Sequence, residues 1–169
     1  KSGDVVYAFP GVYSNGTMRA SASGGLCRVV VPAYVTLVST EGPEKTFIVG
    51  EADPEEPLYD GCGPNSVHGA YVNNYARLSG FTITGGHAQY KSDSDYERGG
   101  GVLAQGCNLT PAKIGVIENC IISNNVAYSG GGCGFGGYVG CRIVDNRAPE
   151  KNYSAIVATR EAFLFDCYV

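Results

Sequence analysis

The chain has 169 residues, with 25 glycines and 7 cysteines, and its 12 basic and 16 acidic side chains give a formal net charge of −4. The glycines follow no three-residue period, which excludes collagen, and an apolar share of 44% excludes a disordered linker. The acidic balance, with scattered Lys and Arg, excludes a nucleic-acid partner. No apolar run reaches the roughly 20 residues that a membrane helix needs. We therefore expect one domain over residues 1–169, without a membrane span.

Short β-branched runs separated by Gly, Asn and Pro follow one another along the chain, and helical periodicity is missing. The runs are Val29–Val31, Val35–Val38, Phe47–Val49, Phe81–Thr84, Ile114–Ile117, Ile121–Ile122 and Ile156–Val157. This pattern predicts an all-β protein.

The second half of the chain repeats itself. Three segments superpose: Leu78–Ala88, Ile117–Ala127 and Tyr138–Ala148. GGGVLAQG from Gly99 also superposes on GGGCGFGG from Gly130. Cys120 and Cys141 are 21 residues apart, and the neighbouring intervals become 21–22 residues once the polar insertions at 89–98, 107–113 and 149–153 are subtracted. The repeat predicts a parallel β-solenoid of about six coils with inserted corner loops.

Alternation within the strands predicts which side chains are buried. We expect one buried column of Phe81, Cys120, Cys141 and Cys167, and a second that aligns Val102 with Cys133. Thr82, Ile121 and Arg142 are expected outside. Gly86, Asn125 and Asn146 fall at one corner, where Gly and Asn best tolerate a left-handed backbone and where asparagines can exchange amide hydrogen bonds. The stacked thiols are expected to fill the core as small apolar groups, because the paired C-x-x-C spacing typical of zinc sites is absent from the sequence.

These motifs resemble the right-handed parallel β-helix, or pectin-lyase-like, superfamily. GDVVYAFPGVY (Gly3–Tyr13) is similar to its first-coil motif, and VTLVSTEGPEKTFIVG (Val35–Gly50) is similar to the second. The GGGV and GGGC segments with the Ile-x-x-Asn pairs (Ile122–Asn125 and Ile143–Asn146) resemble the GGAI and FxxN repeats of chlamydial-type polymorphic membrane proteins. The resemblance implies the fold, whereas the superfamily includes lyases, hydrolases, adhesins and filament proteins.

Cysteines and glycosylation sequons indicate an extracellular or cell-surface protein. Seven cysteines are many for a cytosolic domain. Three Asn-x-Ser/Thr sequons occur, at Asn15, Asn108 and Asn152. Cys27 and Cys62, in the loop-rich first third, are the candidate disulfide, and two free thiols are the equally weighted alternative.

Two acidic segments could form exposed loops. Asp93, Asp95 and Glu97 are spaced so that their oxygens could bind calcium, but the segment departs from an EF-hand loop and a solvated loop is the favoured interpretation. No other cofactor is expected. The run at 51–57 is interpreted as an exposed, proline-stiffened loop. Tyrosines in or beside the corner loops are candidates for stacking on glycans or on a protein partner: Tyr90, Tyr96, Tyr128 and Tyr153.

Catalytic motifs are incomplete in this sequence. Arg147-Ala148-Pro149 resembles half of the pectate-lyase pattern Arg-x-Pro-x-x-Arg, but Asn152 stands where the second Arg belongs, so we expect Arg147 to be a corner residue. We therefore expect a non-catalytic adhesin, surface-structural or filament-forming module. The alternative is a carbohydrate-active enzyme for acidic polysaccharide, which would bring two carboxylates, or a carboxylate and an Arg, together on one face.

No amphipathic helix precedes Gly3, and the chain stops within a predicted strand at 167–169. Uncovered solenoid ends expose unpaired backbone groups and apolar interior. We therefore expect flanking coils, another domain or end-to-end self-association to cover both ends.

Overall fold

The computed structural model describes residues 1–20, 25–56, 59–89, 98–105, 113–149, 155–156 and 162–169. Three sheets contain its strands. Sheet A has the order β1 (Val5–Ala8), β5 (Thr36–Ser39), β8 (Arg77–Ser79), β11 (Val116–Glu118), β14 (Gly136–Val139) and β16 (Ala162–Phe165). Sheet B has the order β2 (Gly11–Tyr13), β6 (Thr46–Val49), β9 (Thr82–Thr84), β12 (Ile121–Ser123) and β15 (Arg142–Val144). Sheet C has the order β3 (Met18–Arg19), β4 (Leu26–Val31), β7 (Val67–Val72), β10 (Val102–Ala104) and β13 (Cys133–Gly134).

From β4 to β15 the chain visits the sheets in the constant order C, A, B, and each strand pairs in parallel with the strand of the previous visit. The described part contains no α-helix. The predicted all-β class and parallel pairing are therefore confirmed, and the architecture is consistent with a β-helix-like fold. Parallel pairing requires crossover connections, and here the strands of the other two sheets provide them.

The buried column of sheet B follows the predicted register. Thr82 and Arg142 both pair with Ile121, which places Cys120 between Phe81 and Cys141. Cys120 and its two neighbours are each at most 2% exposed. The bridge between Arg142 and Tyr168 continues the column to Cys167, which is half-buried.

Val102 pairs with Cys133 in sheet C, and both are fully buried, as predicted. Of the three residues expected outside, Arg142 is exposed and Ile121 is half-buried. Thr82 is only 8% exposed, which differs from the expectation. Its hydroxyl donates to the carbonyl oxygen of Pro43 at 2.7 Å, so the turn after β5 covers this side chain.

The corner that follows sheet B contains the predicted asparagine stack. Nδ2 of Asn125 donates to Oδ1 of Asn146 at 2.9 Å, and Oδ1 of Asn125 accepts from the backbone N–H of Gly86 at 2.8 Å. The left-handed residues, however, are their predecessors Gly85, Asn124 and Asp145, with φ of 65°, 55° and 54°. Asn125 and Asn146, one position later, instead form hydrogen bonds through their side-chain amides.

In sheet C, the strand at the edge nearest the N-terminus runs opposite to the others. β3 pairs antiparallel with β4, so no parallel strand occupies this edge. Beneath it, the buried Arg28 side chain donates to the carbonyl oxygens of Val49 and Gly16, each at 2.7 Å, and to the carboxylate of Glu51 at 3.1 Å. These bonds tie the turn before β3 to the end of β6.

Candidate functional site

The connection between β6 and β7 folds over the corner that follows sheet B. Glu51 and Val67 form an antiparallel bridge that closes the base of this connection. Asp53 is 2% exposed, and its carboxylate accepts from the backbone N–H groups of Glu55 at 3.1 Å and Asn65 at 2.9 Å. The expectation of an exposed acidic loop at 51–57 is therefore wrong for Asp53, which organises the turn by capping backbone donors.

This connection brings a titratable cluster together, which we call the corner cluster: Asp60, Cys62, His87 and Arg147. Parallel bridges place His87 beside Val126 and Val126 beside Arg147. The carboxylate of Asp60 forms an ion pair with the guanidinium of Arg147. The Cys62 thiol lies 3.9 Å from the carbonyl oxygen of Val126. Arg147 is exposed, as expected for a corner residue, but it also has a charged partner from a distant loop.

Burial lowers the pKa of His87, while its hydrogen bond to Gly85 and the charge of Asp60 oppose this change. The ring is therefore neutral near pH 7. Nδ1 lies 3.0 Å from the carbonyl oxygen of Gly85, which can only accept, so Nδ1 carries the proton. The lone pair of the neutral ring is consequently on Nε2, the atom that could accept a proton from a ligand.

The Cys62 thiol contributes little nucleophilicity to the corner cluster. Burial and the negative charge of Asp60 raise its pKa to about 12. A thiol with this pKa stays protonated near pH 7 and reacts slowly. The corner cluster thus offers a potential base, a carboxylate and a guanidinium, but no activated thiol.

The candidate disulfide does not form, since Cys27 and Cys62 are both free thiols. Cys27 packs against Tyr71, Leu103 and Phe135 on sheet C, whereas Cys62 lies against the corner that follows sheet B. The connection that contains Cys62 crosses towards Val126, which directs the two sulfurs into separate environments. The sequence contained no signal for this path.

The stacked thiols of sheet B contact one another. Interaction with the Cys120 side chain is the largest effect that lowers the pKa of Cys141, and burial opposes it. Burial raises the pKa of Cys120 well above its ordinary value. Among the described residues, no group of three or more His, Cys, Asp or Glu side chains is arranged to hold a metal ion.

Most sequence-predicted sites lie outside the described residues: Tyr90, Asp93, Asp95, Tyr96, Glu97, Asn108, Asn152 and Tyr153. The calcium interpretation and two of the sequons therefore remain predictions. Tyr128 is half-buried and Asn15 is exposed.

Sequence reasoning missed an aromatic pair at the turn that precedes sheet A. The rings of Tyr34 and Tyr75 stack with centroids 4.6 Å apart and planes 9° apart. Both residues have a left-handed backbone, with φ of 65° and 61°. This conformation costs a non-glycine residue roughly 1–2 kcal/mol, and ring stacking offsets about 0.5–1.5 kcal/mol of it. Superposing AYVTLVS on NYARLSG would have aligned the two tyrosines.

Exposed apolar side chains collect on the first and last strands. At one end they are Val5, Val6, Tyr7, Phe9, Val12, Tyr13 and Met18. At the other end they are Phe163, Leu164, Phe165, Tyr168 and Val169. In sheet A, β1 and β16 are the outermost strands of the described residues.

The chain matches no protein-family model, no curated protein and no solved structure. The described residues also include no helix with the length and apolar character of a membrane span.

Proposed function

We propose that the chain is a right-handed parallel β-helix of about six coils, related to the pectin-lyase-like superfamily. The constant order of sheets and the parallel register support this proposal, because one strand per sheet in each turn of chain is the pattern of a three-sided solenoid. Right-handed crossovers are the general rule for parallel strands.

We further propose that it serves as a non-catalytic extracellular or cell-surface module, of adhesin, surface-structural or filament-forming type. One observation carries this proposal: the outermost strands β1 and β16 expose large apolar side chains, including Tyr7 at 65% and Phe165 at 72%. Exposed apolar strand edges favour pairing with further strands. As a secondary part of the proposal, glycans stack on the tyrosines in or beside the corner loops: Tyr90, Tyr96, Tyr128 and Tyr153.

The two ends are complementary in sheet A. Val6 pairs with Leu37, and Leu164 pairs with Tyr138, so both exposed side chains are in register with the inward-facing line of that sheet. A second copy could place its β1 beside β16 and bury both side chains. Because β3 covers the edge of sheet C, such a contact would use sheets A and B. A head-to-tail contact of this kind does not close and propagates into a filament.

Analytical ultracentrifugation and electron microscopy of the 169-residue chain test this proposal. Concentration-dependent assembly is expected, and Leu164→Glu should abolish it by placing a charge in the inward-facing line. Tyr59→Glu is the matched control, because Tyr59 is an exposed aromatic residue of the loop that precedes β7. A stable, soluble monomer at all concentrations would refute self-assembly, and assembly that Leu164→Glu leaves intact would refute the end-to-end geometry.

A second candidate, an enzyme acting on acidic polysaccharide, is favoured by the corner cluster. Arg147, Asp60 and the neutral His87 bring a guanidinium, a carboxylate and a potential base to one corner. Release of unsaturated uronate from polygalacturonate, followed by its ultraviolet absorbance, tests this candidate. Activity that disappears in His87→Gln but persists in Cys62→Ala would support it, and a lack of activity on uronate polymers would count against it.

A further inference from the structure

The Tyr34–Tyr75 pair is unusual because both rings remain accessible. Tyr34 is 50% exposed and Tyr75 is 42% exposed, although they stack on each other. A pair that served only to fill the core would be buried. These two rings instead form an aromatic surface at the turn before sheet A.

The backbone beneath the rings is strained without an evident packing benefit. Phe135 occupies the equivalent place before β14 and has a similar φ of 51°. Its ring is 5% exposed, packs with Cys27 and is covered by the guanidinium of Arg98, 5.4 Å from the ring centroid. Burial therefore accounts for an aromatic residue at 135. Burial does not account for Tyr34 and Tyr75, where Gly or Asn would fit the backbone better.

One ring face of the pair is open. In sheet A, four residues are aligned because each lies two residues before one of the mutually paired strand positions: Gly3, Tyr34, Tyr75 and Ile114. On one side, Tyr75 is followed by the buried Ile114. On the other side, Tyr34 is followed by Gly3, where even an added Cβ would have no heavy atom within 4 Å. The free face of Tyr34 thus lies next to an empty position.

We propose that this face binds a neutral hexopyranose ring, stacked on Tyr34 over the position of Gly3. The C–H-bearing face of a pyranose matches a single aromatic ring in size and polarity. The charge of Arg77, two residues after Tyr75, is already neutralised by its ion pair with Glu118. This guanidinium is therefore not free to bind a uronate, which favours a neutral sugar. The site lies beside the proposed assembly surface at β1 and uses none of the residues of the corner cluster.

Saturation-transfer difference NMR with the 169-residue chain and methyl β-D-galactopyranoside tests the proposal. This sugar presents three C–H bonds on one face, and we expect saturation of those protons above all others. Galactitol carries the same kind of hydroxyls without a ring face and should show no transfer. The absence of transfer to the galactoside, or equal transfer to galactitol, overturns the proposal.

Variants separate binding from folding. Tyr34→Asn removes the ring and suits a positive φ, so it should weaken binding about tenfold or more without lowering the melting temperature. Tyr34→Phe keeps the ring face and should retain binding. Tyr59→Asn removes a comparably exposed tyrosine elsewhere and should leave binding unchanged.

Two further outcomes decide the case if Tyr34→Asn does not fold. Tyr34→Phe with binding equal to the original chain supports the stacking contact, and loss of binding in Tyr34→Phe overturns it. If sedimentation instead shows a Tyr34-dependent dimer that the galactoside does not dissociate, the ring face binds protein and the sugar proposal is wrong.

Discussion

Nδ2 of Asn125 donates to Oδ1 of Asn146 at 2.9 Å, and this amide-to-amide bond joins neighbouring strands at a corner of the molecule. The same nitrogen donates to the carbonyl oxygen of Ile83 at 3.0 Å, and Asn125 is fully buried. The corner is therefore held by side-chain amides in addition to its backbone hydrogen bonds. A buried polar group of this kind contributes most through the cost of leaving its partners unpaired.

Asn125→Ala should lower the free energy of unfolding by on the order of 3 kcal/mol, because it leaves the buried N–H of Gly86 without its partner and removes the bonds to Ile83 and Asn146. Urea unfolding measures this loss. Asn124→Gly is the control, because Asn124 is exposed and has a positive φ that glycine adopts freely. The control should change stability by less than about 0.5 kcal/mol. Equal losses in the two variants would contradict the role of the amide.

The buried thiol of Cys27 should make the protein less stable at alkaline pH. Burial raises its pKa from 9.0 to about 12. A raised folded-state pKa contributes stability that is complete below pH 9.0 and is lost as the pH rises towards 12, since the unfolded thiol ionises first. Between about pH 8 and about pH 10.5, the original chain should lose about 2 kcal/mol more than Cys27→Ala. If urea unfolding shows that the free energies of unfolding of the original chain and of Cys27→Ala fall equally with pH, Cys27 is not responsible for the loss of stability.

The titration of His87 should report the charges of the corner cluster. Asp60→Asn removes a charge that raises the pKa of His87, so this variant should titrate at lower pH. Arg147→Gln removes a charge that lowers it and should titrate at higher pH. NMR titration of the imidazole protons of His87 measures both shifts. Shifts in the same direction would rule out the charged contacts. Stability should change little, because Arg147 is exposed.

Gly131 should not tolerate a side chain. An added Cβ would fall against the backbone carbonyl oxygen and nitrogen of Arg147, neither of which can move independently of the strand. Gly131→Ala is expected to cost about 3 kcal/mol in the free energy of unfolding. In Gly137→Ala the Cβ meets Cδ1 of Ile114 at 3.0 Å, a flexible side-chain atom, so the cost should be about 1 kcal/mol. Thermal or urea unfolding compares the two variants. A fully stable Gly131→Ala protein would disprove the close approach.

The repeat was sufficient to place the column of Phe81, Cys120, Cys141 and Cys167. Side chains in a strand alternate between its two faces with a period of two residues. Each inserted loop lengthens the interval between equivalent positions by a whole number of residues, so subtracting the loops recovers the strand pairing. The same arithmetic aligned Val102 with Cys133. Local sequence is enough to predict the strand pairing where the structure repeats a local unit.

The corner cluster depended on tertiary structure. Asp60 lies in an aperiodic connection whose path follows from contacts with distant strands, so its ion pair with Arg147 left no sequence signal. The Cys27–Cys62 pairing was wrong for the same reason, because proximity along the chain does not define the direction of a loop. The sequence by itself therefore determined the all-β class, the register and the buried columns, since these depend on period and composition. Only the tertiary structure decided which loop covers the corner, that β3 turns back against β4, and that Tyr34 and Tyr75 meet with one ring face open.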